Sequence, residues 1–212
     1  ARSRDGTLKV LFRTADGHPD LSGVWSNASV TWLDRRYGLT TLVISEAEVG
    51  RYLFMAERAH ETEAANWADA GIVPGAVVAD VGCGPAAMSV VIAGLVGPTG
   101  RVIGVERDDA SFAQAQQLVA KAGATNVELR QGEATATGIE PGSVDVVMMR
   151  HVLAHNGGHE QDIVNHLATL VKPGGSVYLF DVDGTAMRFR GLPDELLDLN
   201  EKYWAFHKNR GN

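Results

Sequence analysis

Val77-Val78-Ala79-Asp80-Val81-Gly82-Cys83-Gly84-Pro85-Ala86-Ala87-Met88 decides how the rest of this sequence is read. Val77, Val78, Ala79 and Val81 form the apolar run of a strand covered on both faces. Gly82 and Gly84 let the backbone turn sharply and let a ligand come close to it. The alanine-rich, apolar run from Ala86 to Leu95 then reads as a helix. A helix that starts out of such a turn offers free N–H groups and a positive dipole end. The stretch is therefore a strand, a tight turn and a helix, arranged as a nucleotide-cofactor loop.

Working outward, the same alternation recurs on the C-terminal side. Gly97-Pro98-Thr99-Gly100 ends the first helix, and Arg101 to Glu106 reads as a second strand. Asp108 or Asp109 caps a helix that runs through Ala113, Ala115, Leu118 and Val119 to Gly123. Asn126 to Arg130 reads as a third strand, and Val144 to Met149 as a fourth. A helix from Glu160 to Val171 has Ile163, Val164, Leu167, Leu170 and Val171 as its inner face. Lys172-Pro173-Gly174-Gly175 reads as the turn into a fifth strand, Ser176 to Phe180, and a last helix starts near Pro193. This rhythm predicts an α/β fold, a doubly wound and mostly parallel sheet with helices on both faces.

On the N-terminal side, Val49, Tyr52, Leu53, Ala56, Ala59 and His60 fall near helical spacing, with Ser45 and Glu48 as a capping box and Gly71 as a stop. Residues 1–44 differ from the rest, with strand-like stretches at 8–12 and 24–33, and read as an irregular segment or lid. The remainder, 45–212, reads as one cofactor-binding domain.

Composition narrows the function classes. A net charge of −7 argues against nucleic acid as the partner, since phosphate binding wants a basic face. No apolar run approaches the roughly 20 residues that span a bilayer. The single cysteine, Cys83, allows no intrachain disulfide and fits a reducing compartment, so the expected location is cytoplasmic.

The glycine turn alone is a weak signal, because Gly82-x-Gly84-x-x-Ala87 also satisfies the relaxed dinucleotide fingerprint. The acids at successive strand ends sharpen it. Glu106 closes the second strand, where a carboxylate accepts hydrogen bonds from ribose hydroxyls. Glu133, after Gly132, stands just past the third strand, within reach of a purine edge. Asp80 lies two residues before Gly82. A negative group there suits a cofactor carrying an ammonium and a sulfonium better than one carrying a pyrophosphate.

Val78-Ala79-Asp80-Val81-Gly82-Cys83-Gly84-Pro85, Gly104-Val105-Glu106, Gly132-Glu133-Ala134, Asp145-Val146-Val147 and Leu170-Val171-Lys172-Pro173-Gly174-Gly175, in this order, resemble the class I S-adenosylmethionine-dependent methyltransferase family. The resemblance is greatest to small-molecule methyltransferases of the ubiquinone/menaquinone-biosynthesis type and spans residues 45–210. It implies methyl transfer from S-adenosylmethionine to a small-molecule acceptor. By the same resemblance, Asp80, Gly82, Cys83 and Gly84 flank the methionine moiety and Glu106 holds the ribose. Gly132, Glu133 and Ala134 lie at the adenine, Arg107 borders it, and Met149 and Arg150 cross the cofactor. Two departures stand out. The family often has a third glycine where this chain has Ala86, which is small but removes any positive-φ option there. The family's sheet also ends in an antiparallel strand pair after the last helix, and this chain stops at Asn212. Either the chain is a fragment, or the edge is completed by the segments at 8–12 and 24–33 or by a second copy in a homodimer.

Other readings of these residues compete. Glu106 and Glu133 also suit a solvated surface, and Cys83 suits a small packed side chain better than a nucleophile. His151, His155 and His159 fall at i, i+4 and i+8, a spacing that metal ligands use on a continuous helix, but Asn156-Gly157-Gly158 interrupts one. No metal is expected. His151 and His155 follow the fourth strand and are candidates for a general base that takes the acceptor's proton; loop-holding and packing roles compete. Tyr52, Met55 and His60 either line a substrate pocket or pack the core. Two further functions remain open: an NAD(P)-dependent oxidoreductase, and a non-catalytic, truncated methyltransferase-fold binding module. Asp80 and the lack of a Tyr-x-x-x-Lys pair count against the first.

Overall fold

The structure, a computed structural model, describes residues 46–181. The expected capping box at Ser45, the strand candidates at 8–12 and 24–33, and the last helix from Pro193 lie outside the described residues. Helix α1 (Glu46–Ala70) leads into strand β1 (Val77–Val81), followed by α2 (Ala87–Val96), β2 (Arg101–Glu106), α3 (Asp109–Ala122), β3 (Val127–Gln131), β4 (Val144–Arg150), α4 (Glu160–Leu170) and β5 (Val171–Phe180). The five strands form one sheet in the order β3-β2-β1-β4-β5, and every pairing is parallel. The chain leaves β1 toward β2 on one side and later returns to β4 on the other. β1 and β4 therefore flank the switch point, outside whose carboxyl ends such sheets bind ligands.

The pleat sorts the apolar runs into two layers. On one face Val78, Val102, Val146, Met148, Tyr178 and Phe180 pack against Ala59, Trp67 and Ala70 of α1 and Ile92, Ala93 and Val96 of α2. On the other, Ala79, Val81, Ile103, Val105, Val147, Met149 and Leu179 pack against Ile163, Val164, Leu167 and Leu170 of α4. Nearly continuous apolar strands are what burial on both faces requires. α3 joins the first layer, where Ala115 meets Cys83 and Ala86, and Leu118 meets Ala56 and Ala87. Asp108 caps α3, its carboxylate accepting from the Ser111 amide at 2.8 Å.

Two expectations need correction. Lys172-Pro173-Gly174-Gly175 is not a turn before a strand; it lies inside β5. Val144 pairs Val171, whereas Val146 pairs Ser176, so two steps along β4 match five along β5. The surplus forms a bulge, for which proline and glycine are as suitable as for a turn. Lys172 Nζ reaches back to Asp145 Oδ1 at 2.7 Å, while Asp145 Oδ2 accepts from the Val77 amide at 2.8 Å. Burial works against the Asp145 charge, but these hydrogen bonds outweigh it and hold the carboxyl below the usual range. The second correction concerns Ala86, which takes φ 63 directly before α2. An alanine therefore occupies the left-handed conformation expected of glycine, with its methyl fully buried.

Candidate active site

The site forms where β1 ends in the glycine turn. Gly82 sits at φ 77, and a side chain there would meet Val152 Cγ2 at 2.5 Å, so this residue is glycine for reasons of both angle and space. The Gly82 and Cys83 amides both donate to the Val105 carbonyl, at 2.8 and 3.0 Å, which ties the turn to β2. Gly84, at φ 54, is different: a Cβ there would meet nothing within 4 Å. The backbone at Gly84 thus has open space over it.

Glu106 is buried and organises the turn. Its Oε2 accepts from the Gly84 amide at 2.9 Å, and its Oε1 accepts from the Arg107 and Asp108 amides at 3.0 and 2.9 Å. The surface reading of this residue is therefore wrong. A carboxylate has about four lone-pair positions, so three amides leave it room for a hydroxyl donor. Asp80 is buried on the neighbouring strand end, and Ser89 Oγ of α2 donates to its Oδ2 at 2.6 Å. Burial pushes the Asp80 carboxyl up to about 6; the Ser89 hydroxyl and Arg150 pull it down, and Glu106 pushes it further up. Cys83 is buried beneath the turn beside Ala86 and Ala115. Burial first, then the charges of Asp80 and Glu106, push its thiol well above the ordinary range, which makes it a packing residue.

On the far side of the site, Gly132 is half-buried and Glu133 is exposed. Arg107 and Glu133 pair at 3.5 Å, bridging the ends of β2 and β3. Ala134 lies partly buried against the α4-side core. Arg107, Glu133 and Ala134 thus follow the ends of β2 and β3, while Asp80, Gly82 and Gly84 lie at the end of β1 and in the turn after it.

Met149 and Arg150, at the end of β4, send their side chains to opposite faces of the sheet. The Met149 side chain is packed into the α4-side core. Arg150 turns instead toward α1, where Nη2 donates to Glu63 Oε1 at 2.8 Å and the guanidinium lies 4.3 Å from the Phe180 ring centre. Glu63 Oε2 also accepts from Tyr178 Oη at 2.9 Å and from Trp67 Nε1 at 3.3 Å. Burial first, then the Glu63 charge, push the Tyr178 hydroxyl up, so it stays a donor. Glu63 escaped the sequence reading, yet a signal was present. Ala56, Ala59, Glu63, Trp67 and Ala70 recur at helical spacing, which places one acid on the apolar face of α1.

His151 directly follows β4 at φ 57, and its amide donates to the Phe180 carbonyl at 2.8 Å. Its ring meets Phe180 edge-on, with centres 5.3 Å apart, and its Nε2 is buried without a hydrogen-bond partner among the described residues. Burial first, then Arg150 and His155, lower its pKa to about 4. His155 ends a short 3-10 turn, Leu153–His155, and is exposed, as is His159 ahead of α4. The continuous helix that would align the three histidines does not form. Of the pocket candidates on α1, His60 stacks on Trp67 with centres 5.8 Å apart, and Met55 Sδ accepts from Arg51 at 3.4 Å.

A family model described as a methyltransferase domain matches residues 72–209. The chain belongs to this family. An arsenite methyltransferase of Halobacterium salinarum is 35% identical over 117 residues, which is 55% of this chain and 30% of that protein. A demethylmenaquinone methyltransferase of Bacillus cytotoxicus is 29% identical over 116 residues, 55% of this chain and 48% of that protein. The chain thus spans half or less of the length of these relatives. The fold matches the crystal structure of a SAM-dependent methyltransferase from Aquifex aeolicus with a TM-score of 0.55 at 21% identity, covering 69% of this chain and 78% of that one.

Proposed function

We propose that this methyltransferase-family chain transfers a methyl group from S-adenosylmethionine to a small-molecule acceptor. The observation that carries the reading is the pair of buried acids, Asp80 and Glu106, on either side of a glycine turn with open space over Gly84. When bound, S-adenosylmethionine supplies an electrophilic methyl on a sulfonium, which an acceptor displaces in line. Glu106 would hold a ribose hydroxyl with the acceptor capacity its amide bonds leave. Asp80 would face the ammonium, and its burial strengthens that attraction. Gly82 and Gly84 would let the backbone approach the methionine moiety. Gly132, Glu133, Ala134 and Arg107 would border the adenine. The protein's contribution is then mainly to hold nucleophile and methyl in near-attack geometry and to exclude water.

A conjugate acid near 4 limits what His151 can do. Removing a proton from a phenol-like acceptor of pKa near 10 would be uphill by roughly 8 kcal/mol. His151 is neutral at pH 7 and would serve as a hydrogen-bond acceptor. It would take the proton once methylation has made the acceptor acidic. His155 is the second candidate for this role. No helix among the described residues is long and apolar enough to cross a membrane. A homodimer that completes the sheet edge, and a cytoplasmic location, belong to the same proposal.

Calorimetric titration with S-adenosylmethionine, S-adenosylhomocysteine and NAD tests the reading. Binding of the first two without NAD is the expected result. Binding of NAD alone assigns an oxidoreductase, and binding of none assigns an interaction module.

A further inference from the structure

The Glu63 cluster is an expensive arrangement that the core does not need. A carboxylate, a guanidinium, a phenol and an indole N–H meet among Ala59, Met148 and Phe180 where apolar side chains would pack without desolvation cost. Its geometry relates it to Asp80. Asp80 pairs with Met148 across β1 and β4, and Arg150 lies two residues further along the same strand. The pleat puts Asp80, Met148 and Arg150 on one face, with Asp80 and Arg150 roughly 8 Å apart at Cα, within reach of an arginine side chain. Yet Arg150 gives its hydrogen bond to Glu63, and its Nε stays buried without a partner among the described residues.

We propose that Glu63 is a positioning residue that holds Arg150 against Phe180 and away from Asp80, keeping the Asp80 carboxylate available to the ammonium of the cofactor. The inference rests on the reading of Asp80 given above. The groups facing Asp80 are Ser89 from α2, Glu106 from β2, Cys83 from the turn and Arg150 from β4. Arg150 is the cation among them. Without Glu63, Asp80 is an anion on this face that Arg150 already feels. A guanidinium–carboxylate pair there would occupy the position that the ammonium needs, and the cofactor would have to displace it.

The test is binding of S-adenosylhomocysteine and of 5′-methylthioadenosine, which lacks the amino acid moiety, to the native chain, Glu63→Gln, Arg150→Met and the double variant. Thermal melts confirm that each is folded. Glu63→Gln is expected to weaken S-adenosylhomocysteine binding at least tenfold while leaving methylthioadenosine within about threefold. Adding Arg150→Met is expected to restore most of the loss, because no cation remains to capture Asp80. Glu63→Asp keeps the charge on a shorter arm and gives a smaller loss of the same selectivity if the glutamine variant does not fold. Unchanged binding in Glu63→Gln overturns the inference. So does an equal loss for both ligands, or a loss that the double variant does not rescue, since these mean that Glu63 acts through packing. Failure of the native chain to bind S-adenosylhomocysteine overturns the cofactor reading itself.

Discussion

Substituting Gly82 by alanine should damage the turn in two separable ways. The first is conformational: at φ 77 an L-residue is strained by about 1–2 kcal/mol relative to glycine. The second is steric. The new methyl would lie 2.5 Å from Val152 Cγ2 and 3.1 Å from Cγ1, well inside the contact distance of about 3.5–4.0 Å between carbon atoms. Val152 cannot easily retreat. Its carbonyl accepts from the His155 amide at 3.0 Å and from Asn156 Nδ2 at 2.7 Å, which fixes the backbone carrying it. Overpacking of this kind costs about 1–3 kcal/mol. Gly82→Ala alone is thus expected to destabilise the fold by about 2–5 kcal/mol. Val152→Ala removes both offending methyls and leaves only Cβ, at 3.4 Å. In that background Gly82→Ala should cost only the conformational part, about 1–2 kcal/mol. Urea unfolding of the four proteins measures the coupling, expected at about 1–3 kcal/mol in favour of the double variant. Additivity within about 0.5 kcal/mol would refute the steric account.

Glu106→Gln should destabilise the fold by about 1.5–3 kcal/mol, because its NH2 cannot accept from an amide that a charged oxygen now serves. Calorimetry should show S-adenosylmethionine affinity falling at least tenfold; unchanged affinity removes Glu106 from the cofactor site. Native Asp80, with its carboxyl near 6, keeps a proton that the unfolded chain has already released between pH 4 and pH 6. Stability should therefore fall as pH rises through that window, by about 3 kcal/mol from this group, and Asp80→Asn should abolish that component of the slope in urea unfolding. If an ammonium binds beside it, affinity should rise with pH up to about 6 and then level off, and a flat calorimetric profile would count against the pairing. Ala86→Gly exchanges the strain of φ 63 for a lost buried methyl and should be nearly neutral. The same change at Ala87, inside α2, relieves nothing, so thermal melts should rank it less stable by about 1–2 kcal/mol.

The sheet was legible because its signals are local. Strand β2 was readable to the residue, since Arg101 to Glu106 is an apolar run bounded by Gly100 and a capping Asp108. The bulge in β5 was not, because Pro173-Gly174-Gly175 carries the same turn chemistry whether it precedes a strand or interrupts one, and only the register against β4 distinguishes the two. Ala86 was misread for a related reason. Its φ is set not by its own preference but by a turn held at Gly82, Cys83 and Gly84 through bonds to Val105 and Glu106. The buried acids Asp80 and Glu106 stood out because both lie at strand ends. The Glu63 cluster was only partly legible: helical spacing places Glu63 beside Trp67 on the apolar face of α1, but Arg150 and Tyr178 lie 87 and 115 residues away and no spacing rule connects them.

The two acids that flank the turn differ in a way that bears on what the turn selects. Three backbone amides serve Glu106, so its charge is largely met before any ligand arrives. Asp80 receives one hydroxyl from Ser89 in a more buried position, and its raised pKa records that deficit. A cation therefore gains more at Asp80 than at Glu106, and an anion loses more. At roughly 5 Å and an effective dielectric of about 20, each phosphate charge placed beside an ionised Asp80 would cost about 3 kcal/mol. An ammonium at the same place would gain a similar amount. Where a glycine turn could take either a phosphate or a cationic ligand, the under-served Asp80 carboxylate, rather than the glycines, would favour the cationic one.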